Sequence, residues 1–155
     1  MTHITRTQAP AGSTPHMVPD ADEAERVSVD PTWGTLQPMQ VADGVRTVGE
    51  LEVIDHLEAD RPVVDSRTPG PNAVASLPGA RSIPHDLAAD RADELDAGTP
   101  TVFFCNGPQC GQSPLAIRAL LAAGHPPELI WYYRGGLHDW MTLGLPTRPA
   151  GDGTV

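Results

Sequence analysis

The chain has 155 residues, with 10 basic and 20 acidic side chains and therefore a formal net charge of −10. This length predicts one domain with its own hydrophobic core, which needs neither disulfides nor a metal. The acidic balance argues against binding to nucleic acid or to an anionic membrane, and no apolar run approaches the ~18 residues of a membrane-spanning helix. The first residues lack the apolar stretch of a secretory signal, so the cytoplasm is the expected compartment. Two cysteines in that compartment are expected to be free or redox-active thiols.

Residues 1–40 are predicted to form a disordered N-terminal arm. Five prolines, an acidic patch over 20–25 and few apolar side chains leave too little to offset the entropy of ordering. Docking of Trp33, Leu36 and Met39 on the body stays open. The folded domain is expected over 41–148, followed by a loose tail over 149–155.

The first half of the domain begins with a predicted helix. Thr47 and Glu50 have the spacing of a capping box. Apolar residues then recur at helical intervals up to about residue 59, at Val48, Leu51, Ile54 and Leu57. Short strands are predicted at 62–65 and 80–83, and a helix capped by Asp86 is predicted to run toward Asp96.

The second half continues with a buried strand over 101–104. Ser113 is predicted to cap a helix that has Pro114 at its first position, runs to about Ala123 and stops at Gly124. A strand over 129–133 and a helix over 137–143, with Trp140 facing inward, complete the pattern. Strands that alternate with helices predict an α/β fold with a mostly parallel sheet.

Cys105 is the candidate nucleophile, because it directly follows a buried strand and sites in such sheets form at the carboxyl ends of strands. The pKa of a free cysteine is near ~8.5, and the N–H groups at the start of the following helix lower it. Loop amides near Gly107 and Gly111 could converge on one sulfur, in a cradle that suits a thiolate, a persulfide or an oxyanion. From placement alone the alternative is a buried cysteine that serves as a small hydrophobe.

Five segments in order resemble the rhodanese-like (sulfurtransferase) domain family over residues 45–147. They are Val-Val-Asp-Ser-Arg at 63–67, Leu-Pro-Gly-Ala-Arg-Ser-Ile-Pro at 77–84, Phe-Phe-Cys at 103–105, Arg-Gly-Gly-Leu-His-Asp-Trp at 134–140 and Gly-Leu-Pro at 144–146. The resemblance implies a three-layer domain in which a mostly parallel sheet is flanked by helices.

The resemblance also implies a two-step sulfur transfer through a persulfide on Cys105. The donor would be a small sulfur compound such as thiosulfate, and the acceptor a thiophile, either a small thiol or a protein thiol. No cofactor and no metal are expected. Asp65 and Arg67 would support the loop. The substrate-binding residues would be those of the loop itself: Asn106, Gly107, Pro108, Gln109, Cys110, Gly111, Gln112 and Ser113.

The loop departs from the family pattern in its length and charge. Ser113 lies eight positions after Cys105, about two more than is common, and no basic residue occurs between Cys105 and Pro114. This weakens the expectation of fast thiosulfate turnover, although Arg67, Arg81 or Arg134 could supply charge from elsewhere. The rhodanese-related phosphatases have Cys-x5-Arg, whereas this loop has glycine at the sixth position, so phosphate would lack its clamp.

Cys110 is the second departure, and it is either a resolving thiol for Cys105 or a loop cysteine without a role. A metal site on this pair would need two further ligands, for which His125 and His138 are nearest in sequence. Two rivals to sulfur transfer therefore remain: a binding module that has kept the fold without turnover, and a thiol redox switch that uses Cys105 and Cys110.

Overall fold

A computed structural model describes residues 35–148, together with 4–6, 23–24 and 27–29. Its centre is a five-stranded sheet with the order β3-β7-β6-β4-β5, in which every neighbouring pair is parallel. The strands are β3 (Arg46–Thr47), β4 (Val63–Asp65), β5 (Arg81–Ser82), β6 (Thr101–Phe104) and β7 (Ile130–Tyr132). The helices are α1 (Glu50–Glu58), α2 (Pro69–Val74), α3 (Gln112–Ala122) and α4 (Gly136–Thr142).

Helices cover both faces of this sheet, because alternate side chains of the central strands enter two separate cores. Phe103 of β6 packs with Ile117 and Leu120 of α3. Val102 and Phe104 pack on the opposite face with Val53 of α1 and with α4. The fold is therefore a three-layer α/β domain with a parallel sheet, as predicted.

Several predicted elements are confirmed with shifts of one or two residues. The strands over 62–65 and 101–104 correspond to β4 and β6, and the last helix corresponds to α4 with Trp140 buried. Gly124 ends α3 in a left-handed conformation, with φ of +91°, as its place after the apolar pattern indicated.

The predicted capping box at Thr47 is wrong. Thr47 belongs to β3, where it pairs with Tyr132 and its hydroxyl donates to the carbonyl of Met39. The N-cap is Gly49, whose N–H is bound by Glu52 at 3.1 Å. Leu51 is exposed, so the helix buries Val53 and His56 instead.

Two further predictions are corrected. The helix from Asp86 toward Asp96 is absent from the described residues, which contain two short 3-10 turns there, His85–Leu87 and Ala92–Glu94. The helix predicted to be capped by Ser113 and to start at Pro114 begins two residues earlier, at Gln112, with Gly111 as its N-cap. Helix α2 was not predicted.

Most of the predicted arm over 1–40, including Trp33, and the whole of the predicted tail over 149–155 lie outside the described residues. Within the arm, β1 (Ile4–Arg6) pairs with β2 (Val27–Val29) in parallel. The segment 35–40 leads into the domain, with the side chains of Leu36 and Met39 exposed.

Candidate active site

Cys105 lies at the carboxyl end of the central strand β6, where the chain leaves the sheet for the loop that leads to α3. Its side chain is only 2% exposed, yet its sulfur faces the loop rather than the core. The Sγ atom receives the N–H of Ser113 at 3.3 Å and lies 3.4 Å from the carbonyl oxygen of Cys110. The sulfur is therefore held between the loop and the first turn of α3.

Cys105 and Cys110 lie close enough together that each affects the pKa of the other. Burial raises the pKa of the Cys105 thiol well above its usual range. A hydrogen bond from Cys105, followed by the backbone N–H groups of Gln112 and Asn106, lowers the pKa of Cys110 to about 6 in spite of its own burial. The amides that act on the pair thus belong to Asn106, Gln112 and Ser113, whereas the sequence indicated those near Gly107 and Gly111.

As the pH rises, Cys110 is consequently the first of the two thiols to ionise, and it is also the more exposed cysteine. The sequence predicted a thiolate at Cys105, but in this conformation desolvation opposes that charge. The Cys105 thiol remains the donor in the pair.

The start of α4 closes over the loop from the other side. Leu137 donates its N–H to the carbonyl of Cys105 at 3.0 Å, and His138 donates to that of Asn106 at 2.8 Å. Gly136 makes this approach possible: it has φ of +60°, and a Cβ there would lie 2.5 Å from the carbonyl oxygen of Cys105. Gly107 is similarly confined, since its Cβ would lie 2.9 Å from that of His138. The adjacent glycines 135–136 thus fix the position of the cysteine loop.

A buried ion pair supports the loop from below. Asp65, at the end of β4, binds the Arg67 guanidinium through Nε at 3.0 Å and Nη2 at 2.7 Å. Asn72 and Ser76 donate to the same carboxylate at 2.9 and 2.7 Å. Arg67 Nη1 then reaches Asn106 Oδ1 at 3.4 Å, so this network connects β4 and α2 to the cysteine loop.

The segment 35–40 crosses the loop and brings a cation near it. Gln37 donates its N–H to the carbonyl of Pro108 at 2.8 Å and accepts from Arg134 Nε at 2.8 Å. Arg134 is therefore held beside the loop. Arg67 is paired with Asp65, yet its positive charge still lowers the pKa of Cys110, whereas Arg81 is bound to Glu94 at 2.8 Å.

Two of these contributors were not predicted from the sequence. The glycines at 135–136 were noted only as part of the family resemblance, and the sequence did not indicate that α4 would bind the cysteine loop. Nothing in the sequence pattern indicated Gln37. In the part of the chain that the structure describes, no group of histidine, cysteine or acidic side chains is arranged to hold a metal ion. No helix among those residues is both long and apolar enough to cross a bilayer.

Comparison with known proteins agrees with this geometry. The family model for the rhodanese-like domain matches residues 50–143, which is more than half of the chain. A curated relative, the HTH-type transcriptional regulator Rv0324 of Mycobacterium tuberculosis, is 32% identical over 94 residues, covering 59% of this chain and 40% of its own length. The chain thus spans less than half the length of that relative.

Solved structures with the same fold include a thiosulfate sulfurtransferase from Pseudomonas aeruginosa. It is 25% identical with a TM-score of 0.60, and the match covers 68% of this chain and 20% of that one. A rhodanese-related protein from Thermoplasma volcanium is 20% identical with a TM-score of 0.56, over 66% of this chain and 97% of that one. The family model, the parallel three-layer fold and the cysteine loop at the end of β6 lead to one conclusion: the chain belongs to the rhodanese-like domain family.

Proposed function

We propose that the domain is a sulfurtransferase that takes a sulfane sulfur from a donor such as thiosulfate and carries it as a persulfide on Cys105. The observation that supports this most is the position of the Cys105 sulfur, which faces the loop and receives the N–H of Ser113 at the start of α3. A helix N-terminus and loop amides favour an anionic sulfur at such a point.

The first step requires that Cys105 lose its proton. We infer that Cys110 takes this proton, because the pKa of its thiol is lowered to about 6 and its backbone carbonyl oxygen lies 3.4 Å from the Cys105 sulfur. The Cys105 thiolate then attacks the outer sulfur of thiosulfate. The S–S bond of the donor breaks, its electron pair leaves with sulfite, and the Cys105 persulfide anion remains.

In the second step an acceptor thiolate attacks the outer sulfur of the persulfide. The bond to Cys105 breaks, Cys105 returns as a thiolate, and the acceptor, a small thiol or a protein thiol, leaves as a persulfide. The loop residues 106–113 would surround the donor, with two cations beside them: Arg67, which contacts Asn106, and Arg134, which is bound to Gln37. The net charge of −10 works against dianionic donors, so turnover of thiosulfate is expected to be slow. The proposed compartment is the cytoplasm, where free thiols such as these two persist.

A thiol redox switch is the second candidate, and the contact of the Cys105 sulfur with the backbone carbonyl of Cys110 at 3.4 Å, which keeps the two cysteines adjacent, favours it. A peroxide would oxidise the Cys110 thiolate to a sulfenic acid, releasing hydroxide, and the Cys105 thiol would condense with it to a disulfide and water. The curated relative is named as a transcriptional regulator, and a reversible disulfide would suit a regulatory domain.

Intact mass spectrometry separates the candidates. The reduced protein is incubated with thiosulfate and, separately, with inorganic polysulfide, alongside Cys105→Ser and Cys110→Ser. Sulfur transfer predicts one added sulfur atom that a thiol removes and that Cys105→Ser alone lacks entirely. Uptake from neither donor would refute the sulfurtransferase and favour a binding module. Loss of two hydrogens under dilute peroxide, abolished by either substitution, would support the switch.

A further inference from the structure

Tyr132 has a hydroxyl group that the fold buries without giving it a partner. The residue is 1% exposed, and its Oη atom has no hydrogen-bond partner among the described residues. The next residue, Tyr133, provides the contrast, because its hydroxyl donates to Glu50 Oε1 at 2.9 Å on the opposite face of the sheet. A buried hydroxyl without a partner costs stability, so its presence calls for a physical reason.

Tyr132 lies on β7, the strand next to β6, whose end leads into the cysteine loop. In the register of β6 and β7 it lies beside Phe103, two residues before Cys105. Tyr132 and Phe103 share the core cluster that packs against α3, the helix whose first turn contacts the Cys105 sulfur. The Tyr132 phenol is therefore on the same face of the sheet as the two cysteines. It is also near the N-terminal end of α3, which contacts the Cys105 sulfur.

The electrostatics agree with this placement. After burial, the negative charge of Cys105 is the largest influence that raises the pKa of Tyr132, and Cys110 acts in the same direction. The phenol consequently stays protonated, and a protonated hydroxyl close to an anionic sulfur is a hydrogen-bond donor.

Ser113 contributes a second buried hydroxyl of the same kind. Its side chain is fully buried and its Oγ atom lacks a partner among the described residues. The N–H of the same residue donates to the Cys105 sulfur at 3.3 Å, so the Ser113 side chain starts beside that sulfur. A hydroxyl can rotate toward an acceptor that appears later.

We propose that the hydroxyls of Tyr132 and Ser113 bind the outer sulfur of the Cys105 persulfide. This inference rests on the proposed function. In the resting site neither hydroxyl has a hydrogen-bond partner among the described residues. Each donates a hydrogen bond once the outer, negatively charged sulfur of the persulfide is present. No bond forms or breaks in this step; the hydroxyls hold the sulfur in place and stabilise its charge until the acceptor arrives.

The test compares Tyr132→Phe with Tyr133→Phe, which removes one hydroxyl from the other face of the sheet. Each protein is loaded with thiosulfate, freed of donor and followed by intact mass spectrometry while a fixed concentration of thiol removes the sulfur. Because a hydrogen bond to a charged group is lost, Tyr132→Phe should shorten the persulfide lifetime by about ten-fold or more, while Tyr133→Phe stays within about two-fold of wild type. Ser113→Ala, which keeps its N–H, should also shorten it.

Thermal unfolding of the unloaded proteins excludes a general structural effect. Tyr132→Phe should unfold at the same temperature as wild type or higher, since it removes an unpaired buried hydroxyl. Equal persulfide lifetimes in wild type and Tyr132→Phe would overturn the inference while leaving the sulfurtransferase intact. A wild-type protein that takes up no sulfur would refute the proposed function. It would also refute the proposal that a persulfide is the ligand of these hydroxyls.

Discussion

The ion pair under the cysteine loop gives a sharp test of how this fold holds its site. We expect Arg67→Met to destabilise the domain by about 3 kcal/mol, because it removes the guanidinium and leaves the carboxylate of Asp65 uncompensated. Arg67 is 3% exposed and Asp65 fully buried, so water cannot replace the lost cation. Methionine retains part of the arginine stem, so the loss reports mainly on charge and hydrogen bonds.

The magnitude follows from what remains around the carboxylate. Removing one partner of a buried pair typically costs about 3–5 kcal/mol. Asp65 keeps three neutral donors, the backbone N–H of Arg67 and the side chains of Asn72 and Ser76. We therefore expect the lower end of that range, which is still a large share of the ~5–15 kcal/mol that stabilises an ordinary domain.

Urea denaturation measures this change as a lower midpoint with an unchanged slope. The control is Arg81→Met, since Arg81 is 38% exposed and its pair with Glu94 lies at the surface, so we expect a change within the error of the fit. The double variant Asp65→Asn, Arg67→Met should lose less stability than Arg67→Met alone, because no buried charge is left unpaired. An Arg67→Met protein as stable as the Arg81→Met control would refute the reasoning.

Three further predictions concern the loop and its surroundings. Gly136→Ala should destabilise the domain in urea by more than ~1 kcal/mol, because φ of +60° strains alanine and its Cβ would meet the carbonyl of Cys105. The same change at Gly70 in α2, where nothing lies within 4 Å, should instead stabilise it by about 0.4–1 kcal/mol. Alkylation of Cys110 by iodoacetamide should rise with pH around a midpoint near 6 and shift to higher pH in Cys105→Ala; a wild-type midpoint near ~8.5 would contradict the paired thiols.

The sequence was most informative where local pattern and tertiary packing agree. The run 101–104 is apolar throughout, and β6 is buried on both faces, which is what a central parallel strand requires. Its end placed Cys105 at the edge of the sheet where sites form. Gly124 ended α3 as predicted, because that position takes a left-handed backbone, which glycine adopts most readily.

The predictions from sequence were wrong where tertiary packing overrides the local preference for a helix or a turn. Thr47 looked like a helix cap, but pairing with Tyr132 draws it into the sheet. The segment after Asp86 looked helical, yet only Ala88 is fully buried there, while Ala92 and Leu95 are only partly buried against the core, and so little apolar burial does not stabilise a continuous helix. Helix α2, which was not predicted, starts at Pro69, and proline is tolerated in the first turn of a helix.

The two departures of the loop from the family pattern, its greater length and its second cysteine, are connected in the structure. The longer loop contains a turn in which the N–H of Cys110 binds the carbonyl of Gly107 at 2.9 Å, and this turn brings the second cysteine back to the first. Where the family pattern has a basic residue, this loop directs the N–H of Ser113 at the Cys105 sulfur, and the N–H groups of Gln112 and Asn106 lower the pKa of Cys110. The charge of Arg67, from outside the loop, lowers that pKa further. For the sulfurtransferase proposed above, the net charge of −10 and a loop without a basic residue favour neutral or singly charged carriers of sulfane sulfur over thiosulfate.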